Sequence, residues 1–336
     1  MHRLTLVVPL LLMMNAAMAQ GAGSMPDAPA VTEEMSGGTV LVVGQRPGPG
    51  LWKVIKGDHV LWIFGSYSPL PKNMQWRSQQ VESVIAQSQE FIAAPKGGVT
   101  VGFFNVLTLL PHVFNLRSNP DNAVLKDIVP ADVHARWTAL KLRYLGNDDD
   151  VERLRPMFAG MTVFSAGLKQ SGLSSGPEVD KAIAAMANKY KVKPTTVYVA
   201  AAVNDPSQLM KDFKKSTMDD VACFSHTLNA LETDIDAMRV RANAWAKGDL
   251  AVIEKLSYAE REDSCRKAMI NNSAFKKVAA MQDIRARVRD AWLVAAENAL
   301  FANKSTFAVL PMSSIVGENS YVGALEAKGY RVDKPD

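Results

Sequence analysis

The sequence predicts an α/β fold: a central mixed sheet with its first and last strands adjacent, flanked by helices, with a large helical insertion in the second half. Three observations carry this. Short apolar runs with strand character stand near the start, at 52–55 and 59–64, and near the end, at 306–310. Helical spacing fills most of the chain between them, almost without interruption from 207 to 300. Strands at both ends with helices between are satisfied by layers in which the terminal strands meet.

The elements follow in order. Lys56, Gly57 and Asp58 separate the first two runs, which therefore read as a hairpin. Residues 75–89 have helical spacing, with Val81, Val84 and Ile85 on the apolar face. Residues 90–94 form a short buried strand, closed as a turn by Pro95, Lys96, Gly97 and Gly98. Residues 102–116 are apolar and mixed in character. Helical spacing returns at 131–145 and 151–168, joined through Asn147, Asp148, Asp149 and Asp150. That cluster lacks the spaced oxygen ligands of a calcium loop and reads as a solvated turn capping the next helix.

Gly176, Pro177, Glu178, Val179 and Asp180 open a helix to about Tyr190, and 195–203 reads as a strand. The longest helical parts are 223–256 and 275–300. In the second, Val278, Met281, Ile284, Val288, Trp292 and Ala295 form one stripe, with Lys276, Lys277, Arg285 and Arg287 mainly off it as a solvated face. A closing strand at 306–310 and a last helix at 321–327 complete the chain.

Composition excludes several classes. At 336 residues, 48% hydrophobic and 21% charged, the chain has the make-up of an ordinary globular protein. The net charge of +4 is small and the signs are interspersed, so no nucleic-acid partner is expected. Residues 1–19 read as a cleaved signal peptide: Met1, His2 and Arg3 precede an apolar core ending near Met14, and Ala17, Met18 and Ala19 form the cleavage pattern before Gln20. The expected localisation is periplasmic or secreted, and the mature chain is expected not to span a membrane. Residues 20–50, with Pro47, Gly48, Pro49 and Gly50 at their end, read as a flexible N-terminal segment, and 51–334 as the domain. Export makes Cys223 and Cys265, the only two cysteines, a predicted disulfide, with two separate buried thiols as the alternative.

Several short motifs, in their order and spacing, resemble the TraB/GumN family of metal-dependent hydrolases. They are the Trp52-Lys53-Val54 start, Phe64-Gly65 with the Pro69-Leu70-Pro71 tail, and Val179-Asp180. Further on come Ala244-Trp245 with Gly248-Asp249-Leu250, Arg289-Asp290, and Gly329-Tyr330 with Val332. The resemblance spans about 51–332 and implies two strands that converge at Gly-x-x-His motifs to hold one metal ion and its water.

This chain departs from that pattern. The first motif histidine corresponds to Ser68 and the second to Ser314, while the second motif glycine corresponds to Pro311. A strand-end glutamate is replaced by Ala93, Ala94 and Pro95, and a Leu-Glu-Thr by Ala202, Val203 and Asn204. Of the polar positions implied near the site, only Arg289 persists. Neutral hydroxyls are poor ligands for divalent ions. The degenerate site Gly65, Ser68, Pro311, Ser314 and Arg289 therefore implies no metal, no cofactor and a catalytically inactive pseudoenzyme. Such a protein would bind or scaffold an unidentified protein or small molecule in the cell envelope. The alternative is a hydrolase, peptidase or esterase, with unrecognised metal ligands or with Ser68 or Ser314 as nucleophile, which would need a base in hydrogen-bond reach.

Overall fold

In the computed structural model, which describes residues 48–72, 74–100, 115–254, 259–316 and 320–335, ten strands and fourteen α-helices form a mixed α/β architecture. The strands are β1 (Leu51–Lys56), β2 (His59–Ser66), β3 (Leu70–Pro71), β4 (Glu90–Ile92), β5 (Lys96–Thr100), β6 (Leu173–Ser174), β7 (Lys193–Thr195), β8 (Tyr198–Ala202), β9 (Ser305–Pro311) and β10 (Arg331–Asp333). The helices up to the end of the first half are α1 (Gln79–Ala86), α2 (Leu125–Ile128), α3 (Ala131–Tyr144), α4 (Pro156–Gln170) and α5 (Glu178–Lys189). The insertion contributes α6 (Pro206–Lys215), α7 (Val221–Thr233), α8 (Ile235–Lys247), α9 (Leu250–Glu254), α10 (Ala259–Asn271), α11 (Ala279–Gln282) and α12 (Ile284–Ala302). After it come α13 (Met312–Ile315) and α14 (Tyr321–Ala327).

The main sheet has six strands in the order β10-β1-β2-β9-β4-β7. The first and last strands are neighbours, as expected: β1 pairs antiparallel with both β10 and β2, while β2, β9, β4 and β7 run parallel. The β1–β2 hairpin closes with Lys56 opposite His59, and Gly57, first of the two loop residues, has φ 61°. A glycine at that position of a tight hairpin accepts the positive φ that other residues resist. The central strand β9 is buried from Thr306 to Leu310 without alternation, the pattern of a parallel strand covered on both faces.

Helix α12 lies under the sheet, burying Val288, Trp292, Leu293, Ala296, Ala299 and Leu300. Its apolar stripe runs as read from Val288 onward. The expected single helix at 275–300 is broken, however, into a 3₁₀ turn at Phe275–Lys277, then α11, then α12. A separate cluster in the helical part packs Trp137 and Val133 of α3 against Phe164 and Val163 of α4 and Phe224, Leu228 and Leu231 of α7.

Three local readings change. Pro95 to Gly98 is not a turn: Lys96–Thr100 is strand β5, paired parallel with β8. The glycines serve packing there, since a Cβ on Gly97 would stand 2.8 Å from Ile284 Cγ1 and 2.9 Å from Val288 Cγ2 of α12. The single strand expected at 195–203 is likewise split into β7, in the main sheet, and β8, in the two-stranded β5–β8 sheet. Gly48 and Pro49, assigned to the flexible segment, are buried, and a Cβ on Gly50 would collide with Pro335, so the packed domain starts a little earlier than Leu51. Residues 1–47, and most of 102–116, lie outside the described residues.

The acidic run bonds within its own turn and to a neighbouring helix: Asp148 Oδ1 accepts from the Asp150 amide at 3.0 Å, and Lys141 Nζ meets Asp149 Oδ1 at 2.8 Å. Cys223 of α7 and Cys265 of α10 are joined as a disulfide. Among the described residues, no helix is long and apolar enough to cross a membrane.

Candidate functional site

The two strand ends that the sequence singled out do meet. In the β2–β9 pairing Gly65 lies opposite Leu310 and Ser66 opposite Pro311, so both chains leave the sheet side by side at the same edge. Carboxyl ends of parallel strands are where α/β sheets place ligands. A cavity of about 330 Å³ opens there, lined by Ser66, Tyr67, Ser68, Ser175, Gly176, Pro177, Val179, Asp180, Pro311, Met312 and Ser313.

Three contacts build it. Trp245 of α8 donates from Nε1 to the Gly65 carbonyl at 2.7 Å, fixing the end of β2. Trp245 also packs with Phe64 and Trp76, ring centroids 5.8–6.0 Å apart, so the motif around Trp245 supports the strand end from behind. The β3–β6 pairing, with Leu70 opposite Ser174 and Pro71 opposite Leu173, brings the start of α5 over the same edge. Gly65 itself is needed for proximity rather than for turning: its φ is not positive, and a Cβ would stand 2.6 Å from Met312 Cε and 3.1 Å from Ile315 Cδ1. Pro311 sits where β9 passes into α13, with φ −56° and ψ 139°, a conformation proline prefers.

The sequence-derived site residues are therefore only partly gathered. Ser68 and Pro311 line the cavity, and Gly65 is buried directly behind it. Ser314 is half-buried on α13, but the serine that lines the cavity is its neighbour Ser313. Arg289 is not among the lining residues: it lies on α12 with Nε 3.5 Å from Asp290 Oδ1. Ala93 and Ala94, where the family pattern implied a carboxylate, pack against the main core.

Sequence reasoning missed Ser66 and Asp180. Asp180 is in the first turn of α5, the Ser66 hydroxyl lies near enough to its carboxylate to favour the ionised form, and its Oδ1 is buried with no hydrogen-bond partner among the described residues. Burial pushes its pKa above the ordinary value of 3.8, against the opposing pull of the Ser66 hydroxyl and the Lys96 charge. The signal was present, since Val179-Asp180 was among the motifs carrying the resemblance. Nothing in the linear spacing joined it to the end of β2.

The raised pKa has a stability consequence of definite sign. A carboxyl that titrates higher when folded holds its proton more tightly there, so stability falls as pH rises from 3.8 through the folded pKa. Asp180→Asn is therefore expected to stabilise the protein at neutral pH. The gain should shrink towards zero below the unfolded carboxyl pKa. Urea unfolding of both proteins at neutral and acid pH measures it, and a constant or reversed difference would contradict the assignment.

These donors do not fit a divalent ion. The lining supplies neutral hydroxyls and a single carboxylate, whereas such ions are held by several imidazole, thiolate or carboxylate groups. Among the described residues, no group of three or more His, Cys, Asp or Glu side chains could hold a metal.

Fold and site together define an α/β protein with a hydroxyl-lined pocket at the joined ends of two parallel strands. The model of the TraB/PrgY/gumN family matches residues 50–334, and the chain belongs to that family. Neither the curated proteins nor the solved structures gave a match.

Proposed function

We propose that this chain is an exported member of the TraB/PrgY/gumN family that keeps the family scaffold without a metal site. On this reading it is a pseudoenzyme that acts as a binding or scaffold protein in the cell envelope. The observation that carries the reading is the register of β2 with β9: the strand ends are held side by side, yet they present Ser66, Ser68 and Ser313 to the cavity. A scaffold that still shapes a pocket while its lining offers one carboxylate among hydroxyls is suited to binding. The basic start, apolar core and small-residue cleavage pattern of residues 1–19 support export.

A serine hydrolase is the second reading, favoured by the Ser66 hydroxyl and the Asp180 carboxylate lining the same cavity, with the hydroxyl near enough to act on the carboxylate. One screen separates the two. Purified protein is assayed against peptide and ester substrates, with and without added divalent metal, beside Ser66→Ala. The pseudoenzyme reading expects turnover at background in every case. Turnover abolished by Ser66→Ala would replace it with the serine hydrolase.

A further inference from the structure

The cavity has an unbalanced charge. Asp180 is the only Asp, Glu, Lys, Arg or His in its lining, and everything else there is hydroxyl or apolar. The Ser66 hydroxyl lies near its carboxylate, while Oδ1 is buried without a donor among the described residues. Lys96 acts on it at longer range, from outside the lining. A half-buried carboxylate with so few donors favours whatever brings a positive charge to it. The walls also limit the occupant: Pro177, Val179, Pro311 and Met312 are apolar, and a volume near 330 Å³ is at the small end of ligand sites.

The geometry points to a binding site for a small primary amine, whose ammonium pairs with the Asp180 carboxylate while its short body lies against Pro177, Val179 and Met312. Ser68 and Ser313 offer acceptor oxygens to the remaining ammonium hydrogens. This inference deepens the binding role proposed above and rests on that reading, in which a single carboxylate among hydroxyls holds no metal ion.

The test titrates full-length mature protein with n-butylammonium and phenethylammonium, against 1-butanol and butyrate as isosteric controls, up to about 20 mM, where ligands of this size bind. Binding is read by ligand-observed NMR and calorimetry at neutral pH. The amines should bind at least about tenfold more tightly than the alcohol, and Asp180→Asn should lose that preference. Affinity for the amine should also fall in acid, as the carboxylate takes up its proton. If Asp180→Asn does not fold, Ser68→Phe, which places a ring on the exposed rim of the cavity, should block binding instead. No amine binding, equal binding of the alcohol, or full binding by the substituted proteins overturns the proposal. The metal content of the same sample is measured beforehand. Stoichiometric metal would count against the pseudoenzyme reading, whereas metal-free protein that ignores amines would count against this inference alone.

Discussion

Replacing Arg155 with alanine is expected to destabilise the protein by about 3–5 kcal/mol, the cost of removing one partner from a buried ionic network. Arg155 is 1% exposed, at the start of α4. Its guanidinium donates to four carbonyls: Ser118 at 3.2 Å, Phe213 at 2.7 Å, Lys214 at 3.1 Å and Ser216 at 2.8 Å. Three of these belong to the end of α6, where helix carbonyls lack partners within the helix and the dipole favours a cation. The guanidinium also stacks on the Phe213 ring, 4.5 Å from its centroid.

Asp220, fully buried, supplies the compensating charge and caps the other end of the junction by accepting from the Met157 amide at 2.7 Å. Burial pushes the pKa of Arg155 down and that of Asp220 up, so each ion is strained towards neutrality and depends on the other. Removing the guanidinium takes a charged donor from four carbonyls, of which Phe213 keeps its bonds from Ser216, and leaves the Asp220 charge alone. Lysine should recover only part of the loss, because one ammonium lacks the planar fork that spans these carbonyls. Urea unfolding of Arg155→Ala and Arg155→Lys measures both, and a loss below about 1 kcal/mol for alanine would contradict the account.

The second large effect is expected from the disulfide. Cys223 and Cys265 close a loop with a sequence separation of 42, for which chain-entropy arguments give about 4 kcal/mol of stabilisation. Among the described residues, the apolar cluster around the bridge is small: it buries Met157, Cys223 and Ala268, with Phe158, Met218, Cys265 and Met269 packed against it. Reduction, or Cys223→Ser with Cys265→Ser, should therefore lower global stability by about that amount. Hydrogen exchange at 263–271 should accelerate more than in β9 or α12. Uniform acceleration across the sheet and α10 alike would contradict the local part of this prediction. Met157 follows Arg155 by two residues and touches the disulfide cluster, so the Arg155 and disulfide losses should not add.

The parts of the fold legible in the sequence were those in which local pattern and tertiary role agree. The β1–β2 hairpin carries its glycine at the loop, β9 is an unbroken apolar run, and the α12 stripe has a 3.6-residue period. Gly97 and Gly98 were misread because glycine marks a turn and a close approach equally well. Only the tertiary neighbours, Ile284 and Val288 against Gly97, Tyr198 against Gly98, and the pairing with β8, place these two in a strand. The break before α12 was hidden because the apolar stripe continues across it, from Met281 of α11 to Ile284 of α12.

At the site, the convergence of two strand ends was legible, and so was the replacement of histidines by serines. Which serine faces the cavity was not. One residue of rotation at the start of α13 puts Ser313 rather than Ser314 on the lining, and a motif drawn as a linear spacing does not record that rotation. Asp180 was out of reach for a different reason: its neighbour Ser66 is brought to it by the β3–β6 pairing, two residues on each strand that carry almost no sequence signal.

The central claim is that the joined ends of β2 and β9 frame a pocket without a metal site. The most direct measurement is elemental analysis of the purified protein after incubation with zinc, manganese or cobalt and removal of free ion. The account predicts far less than one ion per chain, unchanged by Ser68→Ala, Ser313→Ala or Asp180→Asn. Near-equimolar metal that is lost in those substituted proteins would contradict it.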